Sequence, residues 1–464
     1  MVRRLLLLLG WLLALAPVAM AAEPDWPALT NEAAQLLSRY VQIDTTNPPG
    51  NELAAAKFLK STLAEAGIGA TIYPSAENRG NLLARLPGSG RGQPIVLLHH
   101  MDVVPAEAAD WSFPPFGGEI RDGFVSGRGA LDDKGHGVMQ LVALLARLRE
   151  QRPCSRDIVY LAVADEEVGG AMGARFMLEH HPEQVRAAAV WNEGGASLEG
   201  ILGEEPVNSV GVTEKNALWI TLAATGEGGH GSAPSGKGAV EVLVRALERV
   251  AKWDTPIHLI PPIREMFGRL GAAMFPGGGF LLRNLDTPLL GDLAAGRVTG
   301  DPLTNGLVRN TIAFTGLRAG IKHNVIPHHA EADLDVRLLP DQQPSEFLAD
   351  LTRVIDDPRI SILPIQDMPQ LEAPSPSDTP FFKSLERSLS QRLPASVTVP
   401  GMLTGSSDCA AFRGVGIPCY GYVPMVGTSE LMRRIHGIDE RISVDNLRLG
   451  IQVTYDVLNS LCEE

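Results

Sequence analysis

The chain is short of cysteine, of basic charge and of long apolar runs, and each shortage removes a class of function. Its 464 residues hold four cysteines: Cys154, Cys409, Cys419 and Cys462. They are too few and too scattered for a disulfide scaffold, and none forms the C-x-x-C pair of a thiolate zinc site. Cys409 and Cys419 could pair in an oxidising compartment; buried free thiols are the alternative reading. Acids outnumber bases, 54 against 40, for a formal net charge of −14. Nucleic acid, which needs a basic face, is excluded as a partner. Beyond the first residues nothing approaches the ~18 uninterrupted apolar residues of a spanning helix. There is no internal repeat and no extended low-complexity tract. The glycine-rich "FPGGGF" lacks the Lys-Ser/Thr that would make it a phosphate loop.

What is present begins with a targeting signature. Arg3 and Arg4 precede an apolar run, Leu5–Leu15, and Ala19-Met20-Ala21 fits a small-x-small cleavage site. Residues 1–21 therefore read as a signal peptide and the chain as exported, periplasmic or secreted; an uncleaved anchor is the alternative, which the short run and Pro17 disfavour. The remainder, 45% hydrophobic and 20% charged over the whole chain, is globular and long enough for two or three domains.

Periodicity gives an alternating pattern in the first half. Helices are expected at Ala33–Tyr40, Leu53–Ala66, Val138–Leu148 and Ala171–Glu179. Strands are expected at Thr71–Tyr73, Asn81–Leu86, Ile95–Leu98, Ile158–Val163 and Ala187–Trp191. Such alternation implies an α/β fold with a largely parallel sheet. After Gly211 the order becomes strand Leu218–Ala224, helix Ala239–Trp253, strands Asn310–Gly316 and Glu331–Leu338, helix Glu346–Ile355 and strand Ile360–Pro364. That is the β-α-β-β-α-β order of a ferredoxin-like α+β unit. The boundaries are a catalytic domain over 22–211 and 371–464, with the second unit, 212–370, inserted into it. Residues 259–308, rich in Gly and Pro, form a further insertion, read as a lid or interface element with "FPGGGF" as a turn-rich loop.

The chemistry collects at strand ends. Ile95–Leu98 runs into His99, His100 and Asp102; Ile158–Val163 into Asp165, Glu166 and Glu167; Ala187–Trp191 into Asn192 and Glu193. In open α/β sheets ligands bind beyond the carboxyl ends of the strands. Asp132 and Asp133 add to this edge from the Gly-bounded "GRGALDDKGHG", and His436 lies in a loop before the last helix. So many acids at one edge need a cation or a proton. Histidine with carboxylates and no thiolate suits zinc, cobalt or manganese, and the number of donors allows two ions. In His100-x-Asp102 the aspartate can orient the imidazole, and of the neighbours Glu166 and Glu167 one can bind metal while the other serves as base. His99, His136 and His180 read as ordinary polar residues.

The motifs "HMDVVP", "GRGALDDKG", "DEEVGG", "NEGG", "GHGSAPSGKGA", "HNVIPHHAEADLDVRLLP", "SSDCAAF" and "IHGIDE" occur in order along the chain. In this it resembles the two-zinc aminoacylase, carboxypeptidase and carnosinase family of metallopeptidases, over essentially the whole mature length. Within that family it is most similar to the carboxypeptidase-S-like and N-acyl-amino-acid hydrolase branch. The resemblance implies that His100 and Glu193 hold one ion and Glu167 and His436 the second. Asp132 would bridge them, followed by Asp133 across a cis peptide. Asp102 would orient His100, and Glu166 would be the general base. The inserted unit would be the family's lid or dimerisation domain, its His230 reaching the substrate carbonyl oxygen, often from a partner subunit. Asn324 and Arg337 would hold a substrate carboxylate, with Gly405 beside it. Two positions depart from the family: Asn192, where relatives often carry Asp, and His99, commonly a small residue, which bears on metal selectivity. The implied reaction is hydrolysis of an amide next to a free carboxylate, in peptides or N-acyl amino acids, by a water activated between two zinc ions. A dipeptidase with the same site and an inactive secreted metal-binding protein are the alternatives; retention of Glu166, a base that ion binding alone does not need, disfavours the latter.

Overall fold

The structure is a computed structural model that describes residues 23–463 apart from 201–205, 275, 288–295, 297 and 366–371. The expected signal peptide, 1–21, and the expected domain boundary at 370/371 lie outside the described residues. Among the described residues no helix is long and apolar enough to cross a membrane.

The apolar run that ends in His99-His100 forms the strand Gly92–His100 at the heart of a ten-stranded sheet. It pairs in parallel with Arg156–Val163 on one side and Ala189–Asn192 on the other, and the latter pairs in parallel with Cys419–Gly421. His100 lies opposite Val163, and Leu97 opposite Trp191, so three strands finish at one edge. Alternate side chains are buried on both faces: Ile95 and Leu97 join the core beneath the helices Trp26–Val41, Lys134–Arg149 and Val444–Glu463, while Val96 and Leu98 pack with Met177, Cys409 and Phe412. Burial on both faces is what a near-continuous apolar strand requires. The outer strands Ala70–Ala76 and Arg79–Leu86 are antiparallel, whereas toward the other end Val397–Leu403 pairs in parallel with Val207–Glu214 and Val426–Gly427 with Ser197–Leu198, so the sheet is largely but not wholly parallel.

A second sheet contains Asn216–Thr225, Thr311–Ala319, His329–Leu338 and Ile360–Pro364, all antiparallel. The third of these strands in the chain pairs between the second and the first, and the fourth completes the other side, as in a ferredoxin-like unit. Helices Ala239–Ala251 and Pro344–Ile355 cover one face through Val242, Leu243, Ala246, Phe347 and Leu351.

Three features go beyond or against the expectations. The insertion 259–308 is largely helical where it is described, with helices Pro261–Met274, Gly278–Leu282 and Pro302–Val308. Ile263, Met266, Phe267 and Leu270 recur at helical spacing and pack on Val399 and Met402 of the main sheet. "FPGGGF" supplies one turn, Gly277 at φ +84°, and then continues as helix. The helix expected from Ala171 begins only at Ala174, because Gly173 approaches Ala164 so closely that a Cβ would meet its carbonyl oxygen at 1.8 Å. The cysteines are all paired: Cys409 with Cys419, and Cys154 with Cys462, a pairing the sequence gave no reason to expect.

Candidate metal centre

At the edge where the three strands finish, His100 Nε2 lies 2.9 Å from Asp132 Oδ1, and His436 Nε2 lies 3.1 Å from Asp132 Oδ2 and from Glu167 Oε2. His100, Asp132 and Glu167 present ligand atoms all within 4.8 Å of one another. Each donor has its own scaffold. His100 ends a central strand and is fully buried. Asp132 precedes the helix Lys134–Arg149 and is joined to Asp133 by a cis peptide, as the resemblance implied. Glu167 lies in a one-turn 3₁₀ helix, Glu166–Val168, and His436 adopts φ +57° in a tight loop.

The His100 ring is fixed from behind. Its Nδ1 stands 3.0 Å from the carbonyl oxygen of Asp102 and 3.5 Å from that residue's carboxylate. An Nδ1–H donated to the carbonyl leaves Nε2 as the free ligand atom. The nearer partner of the imidazole is thus the backbone carbonyl of Asp102 rather than its carboxylate. Its carboxylate has other work, accepting the backbone N–H groups of Glu166 and Glu167 at 3.1 Å each and the amide of Asn47 at 2.8 Å. His99 alternates to the opposite side. It is buried beside Tyr40 and Tyr160, in space that Gly137 leaves open, and takes no part in the cluster. His136 is a buried residue 3.5 Å from Asp133, and His180 is at the surface.

The electrostatics are those of acids crowded together. Burial pushes Glu166 and Glu193 well above the usual carboxylate range, and Asp132 adds to both. Burial lifts Asp408 to about 8, with Asp102 and Glu214 contributing. The imidazoles respond in kind. Burial resists charge on His100, but its contacts with Asp102 and Asp132 hold its pKa well above the ordinary value. Hydrogen bonds to Asp132 and Glu167 raise His436 to about 10. Glu167 Oε1 is buried without any hydrogen-bond partner. Divalent cations would relieve this arrangement, and a donor set of imidazole and carboxylate with no thiolate fits them.

Of the expected site residues, His100, Asp132 and Glu167 lie together, and His436 joins them through Asp132 and Glu167. Glu193 follows the strand Ala189–Asn192 and is close enough to be shifted by Asp132 and Asp133. Asn192 is buried with neither side-chain atom partnered. His230 and Asn324 stand together, exposed, on a two-stranded ribbon of the inserted unit, where Gly231 N donates to Asn324 O at 2.8 Å. Arg337 is held by Asp335 on its own strand, at 2.8 and 3.1 Å. Gly405 lies in the turn after Val397–Leu403. Among the described residues no hydrogen bond or ion pair joins His230, Asn324, Arg337 or Gly405 to the cluster.

Supporting residues escaped the sequence reading. Glu440 is fully buried, pairs with Arg128 at 2.7 Å and accepts the N–H groups of Leu131 and Asp132 at 2.7 and 3.1 Å. Arg128 also donates to Gly437 O at 2.9 Å, so one ion pair fixes both Asp132 and the His436 loop. Both residues lie inside quoted motifs, and a charge kept next to proposed ligands was the available signal.

Over 369 residues the chain is 34% identical to the N-fatty-acyl-amino acid synthase/hydrolase of Xenopus tropicalis, spanning 77% of this chain and 70% of that protein. It is 30% identical over 384 residues to the "probable carboxypeptidase S-like 2" of Dictyostelium discoideum, spanning 79% and 72%. Two solved structures share the fold. One is an M20 family metallo-carboxypeptidase from Sulfolobus solfataricus, with TM-score 0.69, 18% identity, and 93% of this chain and 100% of that one covered. The other is a dinuclear metal binding peptidase of the M20 family from Bacillus subtilis, with TM-score 0.56, 16% identity, and 94% and 99% covered. The sequence pattern of Peptidase family M20/M25/M40 matches residues 96–460. With that match running from the central strand to the last helix, the chain belongs to Peptidase family M20/M25/M40, as a metallopeptidase or amidohydrolase of that family.

Proposed function

We propose that the chain hydrolyses the amide bond beside a free carboxylate, with N-acyl amino acids as the preferred substrates and small peptides as the second class. The observation that carries this is Asp132, whose two oxygens are divided between His100 at 2.9 Å and His436 at 3.1 Å. A carboxylate so placed suits two cations. His100 and Glu193 would hold one, Glu167 and His436 the other, and Asp132 both; zinc is the first choice, with cobalt or manganese as alternatives. Two such ions, when bound, acidify water and polarise the amide carbonyl. Glu166 is spared from liganding. It takes a proton from the attacking water and returns it to the leaving amine. Arg337 would release Asp335 to bind the substrate carboxylate as a charge-assisted pair, with Asn324 and Gly405 lining the approach. His230 would donate to the carbonyl oxygen from a partner copy in a homodimer built through the inserted unit. Export is part of the same proposal, supported by two disulfides that suit an oxidising compartment.

The printed activity of the Xenopus relative supports the acyl-amino-acid class, and the carboxypeptidase name of the Dictyostelium relative supports peptides. The test is a panel of dipeptides and N-acyl amino acids of graded chain length, with metal content measured on the same sample. Faster turnover of the acyl amino acids is expected. Preference for dipeptides would overturn the substrate class, and no hydrolysis of either by ion-loaded protein would overturn the function.

A further inference from the structure

The stretch "DTTNPPGNE", residues 44–52, enters the site described so far only through the Asn47 amide on Asp102, yet it also meets the turn that carries Glu166 through one buried arginine. Arg79, at the start of the strand Arg79–Leu86, points its guanidinium at Asp165, which opens the turn carrying Glu166 and Glu167. The same guanidinium donates to Asn47 Oδ1 at 2.5 Å and Pro49 O at 2.7 Å, and lies 3.4 Å from Glu52. Asn47 extends the chain of bonds. Its amide donates to Asp102 Oδ2 at 2.8 Å and Asp165 Oδ1 at 3.3 Å. Asp102 in turn receives the backbone N–H groups of Glu166 and Glu167. The turn is thus held from both ends, at Asp165 directly and at its two glutamates through Asn47 and Asp102.

Two further observations show that this contact is built in. Asp165 adopts φ +73°, which non-glycine residues rarely hold unless their surroundings fix it. Its carboxylate is spent on holding that shape, with Oδ1 on Arg79 and Asn47 and Oδ2 on the N–H of Met172 at 3.0 Å. Gly50, at φ +89°, makes room for the guanidinium: a Cβ there would lie 2.6 Å from Arg79 Nη2. A planar fork that meets several acceptors at once is something lysine cannot reproduce.

We infer that Arg79 is a positioning residue, which through Asp165 and Asn47 sets the turn that aims Glu166 at the reacting water. The inference rests on Glu166 being the base. Small displacements of such a group cost up to about 10²-fold in rate. The test compares R79K, R79A and wild type as full chains loaded with zinc, measuring kcat, KM, bound metal, and hydrogen exchange of the 165–172 segment. Arg85 on the same strand, which pairs with Asp157 at 3.0 Å away from the site, supplies the control R85K. For R79K we expect kcat to fall roughly 10- to 100-fold, KM to stay within about threefold and metal content to be unchanged. Exchange in 165–172 should quicken, and R85K should match wild type. Guanidinium ion added to R79A should restore part of the lost kcat, which a general loss of stability would not allow. If R79K does not fold, N47A carries the same test, since it removes the Asp102 arm. Near-wild-type kcat in the folded Arg79 or Asn47 variants, or a loss that excess zinc repairs, would overturn the inference. An inactive wild type would instead count against the proposed function, and the exchange measurement would still decide whether Arg79 orders the turn.

Discussion

Glu166 and Glu167 are neighbours in sequence and carry opposite duties in the proposed mechanism, so single substitutions should separate them from the rest of the cluster. Glu166→Gln removes a base and no ligand; kcat should drop by several orders of magnitude while two ions stay bound. His100→Ala should instead lower metal occupancy. Kinetics and elemental analysis on the same preparations check both, and near-normal turnover by Glu166→Gln would remove it as the base. His436 yields a pH prediction. Its pKa of about 10 in the ion-free chain means that it carries a proton at pH 7. Ion binding must displace that proton, so affinity should rise with pH until about 10. Calorimetric binding heats at pH 7 should therefore change with the ionisation enthalpy of the buffer, and buffer-independent heats would contradict the assignment. At this scale the ligand types were legible because acids and imidazole gather at strand ends whatever the tertiary detail. The holders Asn47, Arg79, Arg128 and Glu440 were not, because their hydrogen-bond partners lie 30 to 312 residues away and no periodicity marks them.

Among the elements, the two-stranded ribbon Gly229–His230 with Val325–Ile326 is the one whose task this chain alone does not explain. His230 is exposed, bonded to Ser232 at 2.7 Å and out of contact with the cluster. His230→Ala should keep its metal but lose about 10²-fold in kcat/KM, the usual cost of one oxyanion donor. Mixed with Glu166→Gln chains it should regain activity in hybrid dimers, where one site has both an intact base and an intact partner histidine. Verified hybrids with no recovery would return the histidine to its own chain's site. The main strands and helices of the inserted unit were readable from hydrophobic periodicity, down to the strand Ile360–Pro364, but the main-sheet strand Val207–Glu214 was not. Ends were less so. The Ala174 helix starts late because of backbone packing around Gly173, a contact with Ala164 that spacing alone cannot show. The helices within the insertion went unread because its Gly and Pro content hid a helical spacing that only the main sheet's Val399 and Met402 make useful.

Across the whole molecule, the last segment closes back on the first half of the sheet. Cys154 and Cys462 join across 308 residues, and Ser155 N donates to Cys462 O at 2.9 Å beside them. Cys409 and Cys419 close only 10 residues, next to Arg413, which is buried between Glu214 and Glu372. Chain entropy therefore ranks the two bonds. The long loop should be worth roughly 6 kcal/mol and the short one roughly 3, before any native-state effect. The Cys154→Ser/Cys462→Ser variant should accordingly melt lower than the Cys409→Ser/Cys419→Ser variant under oxidising conditions. It should also keep kcat and metal content, since its bond lies away from the strand ends that carry the donors. Thermal denaturation of both variants with ions bound reads the ranking directly. A reversed order would place the larger contribution in the native state. The short bond would then act by holding the loop from Ser407, whose N–H and hydroxyl both bond Glu214, at 3.2 and 2.9 Å. In that case the Cys409→Ser/Cys419→Ser variant should lose kcat as well as stability, because Asp408 in that loop is among the acids shifted together with the metal cluster.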